Sequence, residues 1–109
     1  MNEIKEYTTK LFEDIKHIDE QDNEYWLARE LQKVLRYNQW RSINDLIERA
    51  KIACQESKYN IDDHFAVQRK MIKLAKGVTR NINNYKLSRY ACYLIAQNDN
   101  SHMKVIALA

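Results

Sequence analysis

Proline is absent from this 109-residue chain, and glycine occurs once, at Gly77. Proline breaks helices, and glycine supplies the left-handed backbone of tight turns. A chain nearly free of both is expected to be largely helical. One glycine also excludes the glycine-rich loops that cradle phosphates in nucleotide-binding enzymes. Cysteine is scarce too: Cys54 and Cys92 lie far apart among apolar helix positions. That pattern fits two buried thiols in a reducing cytosol better than a disulfide or a metal site. No apolar run approaches the roughly 18 residues of a membrane span. The first residues are charged and helical in character, unlike a secretory leader. A cytoplasmic protein without membrane contact is expected. His17, His64 and His102 show no metal-ligand spacing. Asp62-Asp63-His64 is the only tight cluster of titratable groups, and it suits the start of a helix better than catalysis. No acid, base or nucleophile constellation is visible, so neither enzymatic activity nor a cofactor is expected.

Acidic residues are missing from one long stretch. Phe65 to Asn98 contains seven Lys or Arg residues and no Asp or Glu: Arg69, Lys70, Lys73, Lys76, Arg80, Lys86 and Arg89. A one-signed run of this length is the electrostatic footprint of a surface that meets phosphate, or else a solvated basic face without a partner. The remaining charge is divided along the chain. Residues 1–24 carry a net −5 and residues 25–109 a net +8. The acidic arm either folds back on the basic body, competing with a polyanion, or stands as an ordinary solvated helix.

Apolar spacing supplies the elements. Ile4, Tyr7, Leu11, Phe12 and Ile15 mark a helix over 3–16. Residues 17–24 look like a loop, and Tyr25-Trp26 a short strand or a packing anchor. Ala28, Leu31, Val34 and Leu35 mark a helix over 27–36, ended by a left-handed Asn38. Ile43, Leu46, Ile47, Ala50 and Cys54 give the clearest helix, from Trp40 to Ser57. Asn60–Asp63 reads as a turn whose acids start a helix near 62–68. Residues 69–87 are poor in helix formers around 79–84, and Lys76-Gly77 suits a turn, so a basic hairpin is expected there. Ser88 caps a last helix over 89–97, with Leu94 and Ile95 inward. Met103–Ala109 ends in an apolar, helix-favouring stretch without a cap. It reads as a domain cut from a longer protein or a helix whose remainder is missing, and as a surface for homo-oligomers. The fold class is α+β: a small, mainly helical domain with a short β-hairpin between helices. Its expected division is an acidic helical arm over 1–23 and a domain over 24–109.

Several segments resemble a known family. Glu24-Tyr-Trp-Leu-Ala-Arg-Glu-Leu-Gln32, Tyr37-Asn-Gln-Trp-Arg41, Asp63-His-Phe65 and above all Tyr85–Asn98 are similar to the DNA-damage-inducible D proteins. The layout resembles, more loosely, the N-terminal domain of BRO/antirepressor proteins of viruses and prophages. The resemblance implies a DNA-associated domain at the N-terminus of a longer protein, in the DNA-damage (SOS) response or prophage regulation. It implies no catalytic residues. It points to Arg41, Arg80, Tyr85, Lys86 and Arg89 as contact positions. Leu27 stands where a small polar cap is expected, and Arg36 where a glycine often precedes the tyrosine.

The expected function is therefore DNA binding through phosphate contacts, on single or double strands. The expected contact set is Arg41, Arg69, Lys70, Lys73, Lys76, Arg80, Tyr85, Lys86, Ser88 and Arg89. Tyr85 is the stacking candidate, and Ser88 and Arg89 would hold phosphate at the start of the last helix. The alternative is a protein-interaction domain that binds a DNA-repair or repressor protein.

Overall fold

In chain order, the computed structural model, which describes residues 11–98, begins with a helical turn at residues 11–14 (α1). Two short strands follow, β1 (His17–Ile18) and β2 (Glu24–Leu27). Then come helices α2 (Ala28–Val34), α3 (Trp40–Glu56) and α4 (Ile61–His64). A long hairpin, β3 (Phe65–Lys73) and β4 (Thr79–Leu87), leads into α5 (Arg89–Gln97). All pairings are antiparallel, in the order β1-β2-β4-β3. The α+β architecture matches the expectation. Of the helix expected over 3–16, residues 3–10 lie outside the described residues and the helix ends at residue 14, with Ile15 in a turn; the apolar end at 103–109 also lies outside the described residues.

The core forms where the helices cover the base of the sheet. Trp26 is fully buried; its ring stacks on Phe12 at 4.4 Å and its Nε1–H donates to the Phe12 carbonyl at 2.8 Å. Ile43, Leu46, Ile47, Ala50 and Cys54 of α3 meet Ala91, Cys92, Leu94 and Ile95 of α5 in the same cluster. Each large aliphatic side chain buried there contributes about 1.5–3 kcal/mol of transfer free energy. Phe12 belongs to this core, so the packing joins the segment around it to the body.

Two local expectations are corrected. The helix near 62–68 is only the single turn of α4. Asn60 caps it by accepting the Asp62 N–H, and the chain becomes extended at Phe65. Phe65 pairs with Leu87 and both are buried. Core burial and cross-strand pairing thus override the modest helical character of residues 65–68. The second correction concerns left-handed backbone. Asn38 does not end α2; Arg36 does, with φ 62°. The Tyr37 N–H reaches the Gln32 carbonyl and the Arg36 N–H that of Lys33, which is a Schellman motif. Lys58, φ 66°, closes α3 in the same way, with Tyr59 bonded to Cys54 and Lys58 to Gln55. A chain with one glycine thus places ordinary side chains where glycine is preferred. Arg36 is the position at which the sequence resemblance leads to the expectation of a glycine. Arg36→Gly and Lys58→Gly are each expected to raise stability, by up to about 1 kcal/mol, in denaturant titration. Lower midpoints in both would contradict this reading of the two turns.

The missing polar cap at Leu27 also has an explanation. Leu27 occupies the N-cap of α2 without a side-chain hydrogen bond. The Asn84 side chain on β4 accepts the Arg29 N–H at 3.1 Å instead. A neighbouring strand satisfies the helix start that its own sequence leaves bare.

Candidate nucleic-acid interface

Among the described residues, only the base of the hairpin is held in the sheet. β2 pairs with β4 at Leu87 and Lys86 alone. Beyond that point β3 and β4 run on as a two-stranded ribbon, roughly 20 Å long at the usual rise per strand residue. Its tip is a tight turn at Ala75–Gly77, where Lys76 (φ 64°) and Gly77 (φ 75°) are both left-handed. The expected turn at Lys76-Gly77 is therefore in place.

Alternation along the strands distributes the cations. Arg69 and Lys73 share the face of Phe65, and Arg80 and Lys86 lie on the other. Arg69, Lys73, Lys76 and Arg80 are exposed. Lys70 lies in β3 opposite Ile82. Arg41 is exposed on the first turn of α3, beside Trp40. Among the described residues, no carboxylate pairs with Arg41, Arg69, Lys73, Lys76 or Arg80. The ribbon also exposes Val67, Met71, Leu74 and Val78.

The other expected contact residues sit in the body and are occupied there. Arg89, with 19% of its side chain exposed, is forked between Glu24 and Glu13. Nε donates to Glu24 at 2.8 Å and Nη1 to Glu13 at 2.8 Å, while Nη2 reaches both carboxylates. The guanidinium also lies 5.0 Å from the Trp26 ring centroid. The hydrogen bond from Arg89 holds the Glu24 carboxyl below its ordinary range, and the two carboxylates hold the Arg89 guanidinium above its own. Glu13 comes from the segment read as an acidic arm, and Glu24 directly follows it. Ser88 does cap α5, accepting the Ala91 N–H at 3.0 Å, and its hydroxyl also bonds His64 Nδ1 at 2.7 Å. Tyr85 does not offer a free ring. Lys51 lies 4.6 Å above it and donates to its hydroxyl at 3.1 Å, and Trp40 stacks at 6.5 Å. Burial depresses Lys51, but Tyr85 and Glu48 outweigh it and leave the ammonium more basic than usual. Lys86 is half-buried, 4.4 Å above the Tyr25 ring.

Sequence reasoning missed an open cleft of ≈ 290 Å³ beside the free edge of β4, lined by Arg29, Trp40, Arg80, Ile82 and Asn83. Arg29 lies 4.1 Å over the Trp40 ring, and its Nε donates to the Asn83 carbonyl at 2.9 Å. Burial, and then the neighbouring Arg80, lower the proton affinity of Arg29. Arg29 stands outside the acid-free run, in a segment that reads as an ordinary amphipathic helix. Nothing in its local spacing marks it.

The two thiols are buried and unpaired, and burial raises both above their ordinary range. Among the described residues no helix is long and apolar enough to cross a membrane.

Residues 14–108 match the model of the BRO family N-terminal domain. The chain belongs to that family. This BRO N-terminal domain is also 43% identical, over 96 residues, to DNA damage-inducible protein D of Escherichia coli (strain K12). That alignment takes in 88% of the chain but spans only 35% of the relative's length. No solved structure matches the chain. The family match begins at residue 14, within the acidic segment, and includes the hairpin and α5.

Proposed function

We propose that this BRO N-terminal domain is a non-catalytic DNA-binding module that grips phosphates with its β3–β4 hairpin. The observation that carries the reading is the ribbon itself: exposed Arg69, Lys73, Lys76 and Arg80, without a carboxylate partner among the described residues, on an arm that leaves the body. Arg41 supplies a contact from the body. Binding would draw on the release of counterions from the duplex, which is independent of sequence. A two-stranded ribbon fits the DNA major groove. Tyr85, Lys86, Ser88 and Arg89 support the ribbon's base and the start of α5. The name of the Escherichia coli relative and the family together favour a role in the DNA-damage response or prophage regulation.

A second reading is a protein-interaction domain for a DNA-repair or repressor protein. Exposed Val67, Met71, Leu74 and Val78 favour it, because they form an apolar surface on the same arm. Fluorescence anisotropy with labelled single- and double-stranded DNA at low salt separates the two. Saturable binding supports the DNA reading. No binding to either would transfer the hairpin to a protein partner.

A further inference from the structure

The cleft beside β4 is lined, among the described residues, by two arginines and no acid. Arg29 is fixed before any ligand arrives: Asn83 holds its Nε, the Trp40 ring lies under its guanidinium, and Asn84 holds its main-chain N–H. A guanidinium that has already lost its rotamer freedom binds an anion at lower entropic cost than a free surface arginine. Its terminal nitrogens have no acceptor among the described residues. Arg80 lines the same cleft. The two cations act on each other, since Arg80 is one of the groups that lower the proton affinity of Arg29. Two cations that line one cleft are relieved by an anion between them. Trp40 lies under the Arg29 guanidinium at 4.1 Å and near Tyr85 at 6.5 Å, so it positions the arginine in the cleft.

We propose that the Arg29–Arg80 cleft is a phosphate-binding site in which both guanidiniums hold one phosphate, with Ile82 against the adjoining sugar. The chemistry is that of a phosphate ester, either from a nucleic-acid strand or from a small phosphorylated ligand. The strand form rests on the DNA reading above, whereas the phosphate site does not. It would also carry a strand from the ribbon onto the body, because Arg80 belongs to the hairpin and Arg29 to α2.

Inorganic phosphate is the first probe, with the full chain followed by the NMR signal of the Arg29 Nε–H. A saturable shift is expected, absent with chloride at equal ionic strength and weakened at least about fivefold in Arg80→Gln. Arg80 is exposed, so that variant should fold. No shift, or an equal shift with chloride, overturns the site. DNA is the second probe, with Arg29→Lys, Arg80→Gln and the double variant, each first confirmed to melt like the parent. If one phosphate is shared, the double variant loses less affinity than the product of the two single losses. Strictly multiplicative losses overturn the shared grip. A phosphate response without DNA binding assigns the cleft to a small phosphorylated ligand and sinks only the DNA reading. DNA binding that ignores both variants, without a phosphate response, sinks only the cleft.

Discussion

Arg89→Ala should destabilise the domain by about 2–3 kcal/mol, while the folded variant keeps its DNA affinity. The cost is set below that of a fully buried pair because Glu13 and Glu24 remain partly hydrated once the arginine is gone. It exceeds that of an ordinary surface pair because one fork holds two carboxylates and packs beside Trp26. Ser88→Ala should cost less, about 1 kcal/mol, through the lost cap of α5. The sign with pH follows from Glu24. Its folded-state carboxyl titrates below the ordinary value of 4.5, so its stabilisation is complete above that pH. It is lost as pH falls through the depressed folded value, and Arg89→Ala should flatten that acid limb. Thermal melts across acidic pH check both statements. A variant that melts like the parent but loses DNA binding would return Arg89 to the phosphate contacts.

Reversing three charges on the ribbon should have the opposite profile. Lys73→Glu, Lys76→Glu and Arg80→Glu together remove three phosphate contacts and add three repulsions. DNA affinity should fall by about 100-fold or more at moderate salt. Melting should change little, because all three side chains are exposed and none has an ion-pair partner among the described residues. Reversing exposed Lys33 and Arg49 on the helices should weaken binding far less. Equal losses from both sets would mean that the ribbon is not a discrete site.

Legibility of the sequence followed the range of the forces involved. The bounds of α3 and α5 could be read because apolar spacing and the Ser88 cap are local. The hairpin could be read from poor helix formers around a single glycine. Its start at Phe65 could not, since that depends on pairing with Leu87, 22 residues away. The ends of α2 were obscured for two reasons. Its start is completed by Asn84 from another strand, and its stop uses a left-handed arginine. The acid-free run located the ribbon but could not separate free cations from engaged ones. Arg89 finds its partners at Glu13 and Glu24, more than sixty residues earlier in the chain. Arg29 and Trp40 became visible as a cleft only once β4 lay beside them.

The most direct test of the central claim is the salt dependence of duplex binding by the unaltered chain. With about five phosphates held by the ribbon and Arg41, log K against log[salt] should fall with a slope of about −4.5. Binding that shows no dependence on salt, or no binding even at low salt, would contradict a phosphate-gripping hairpin.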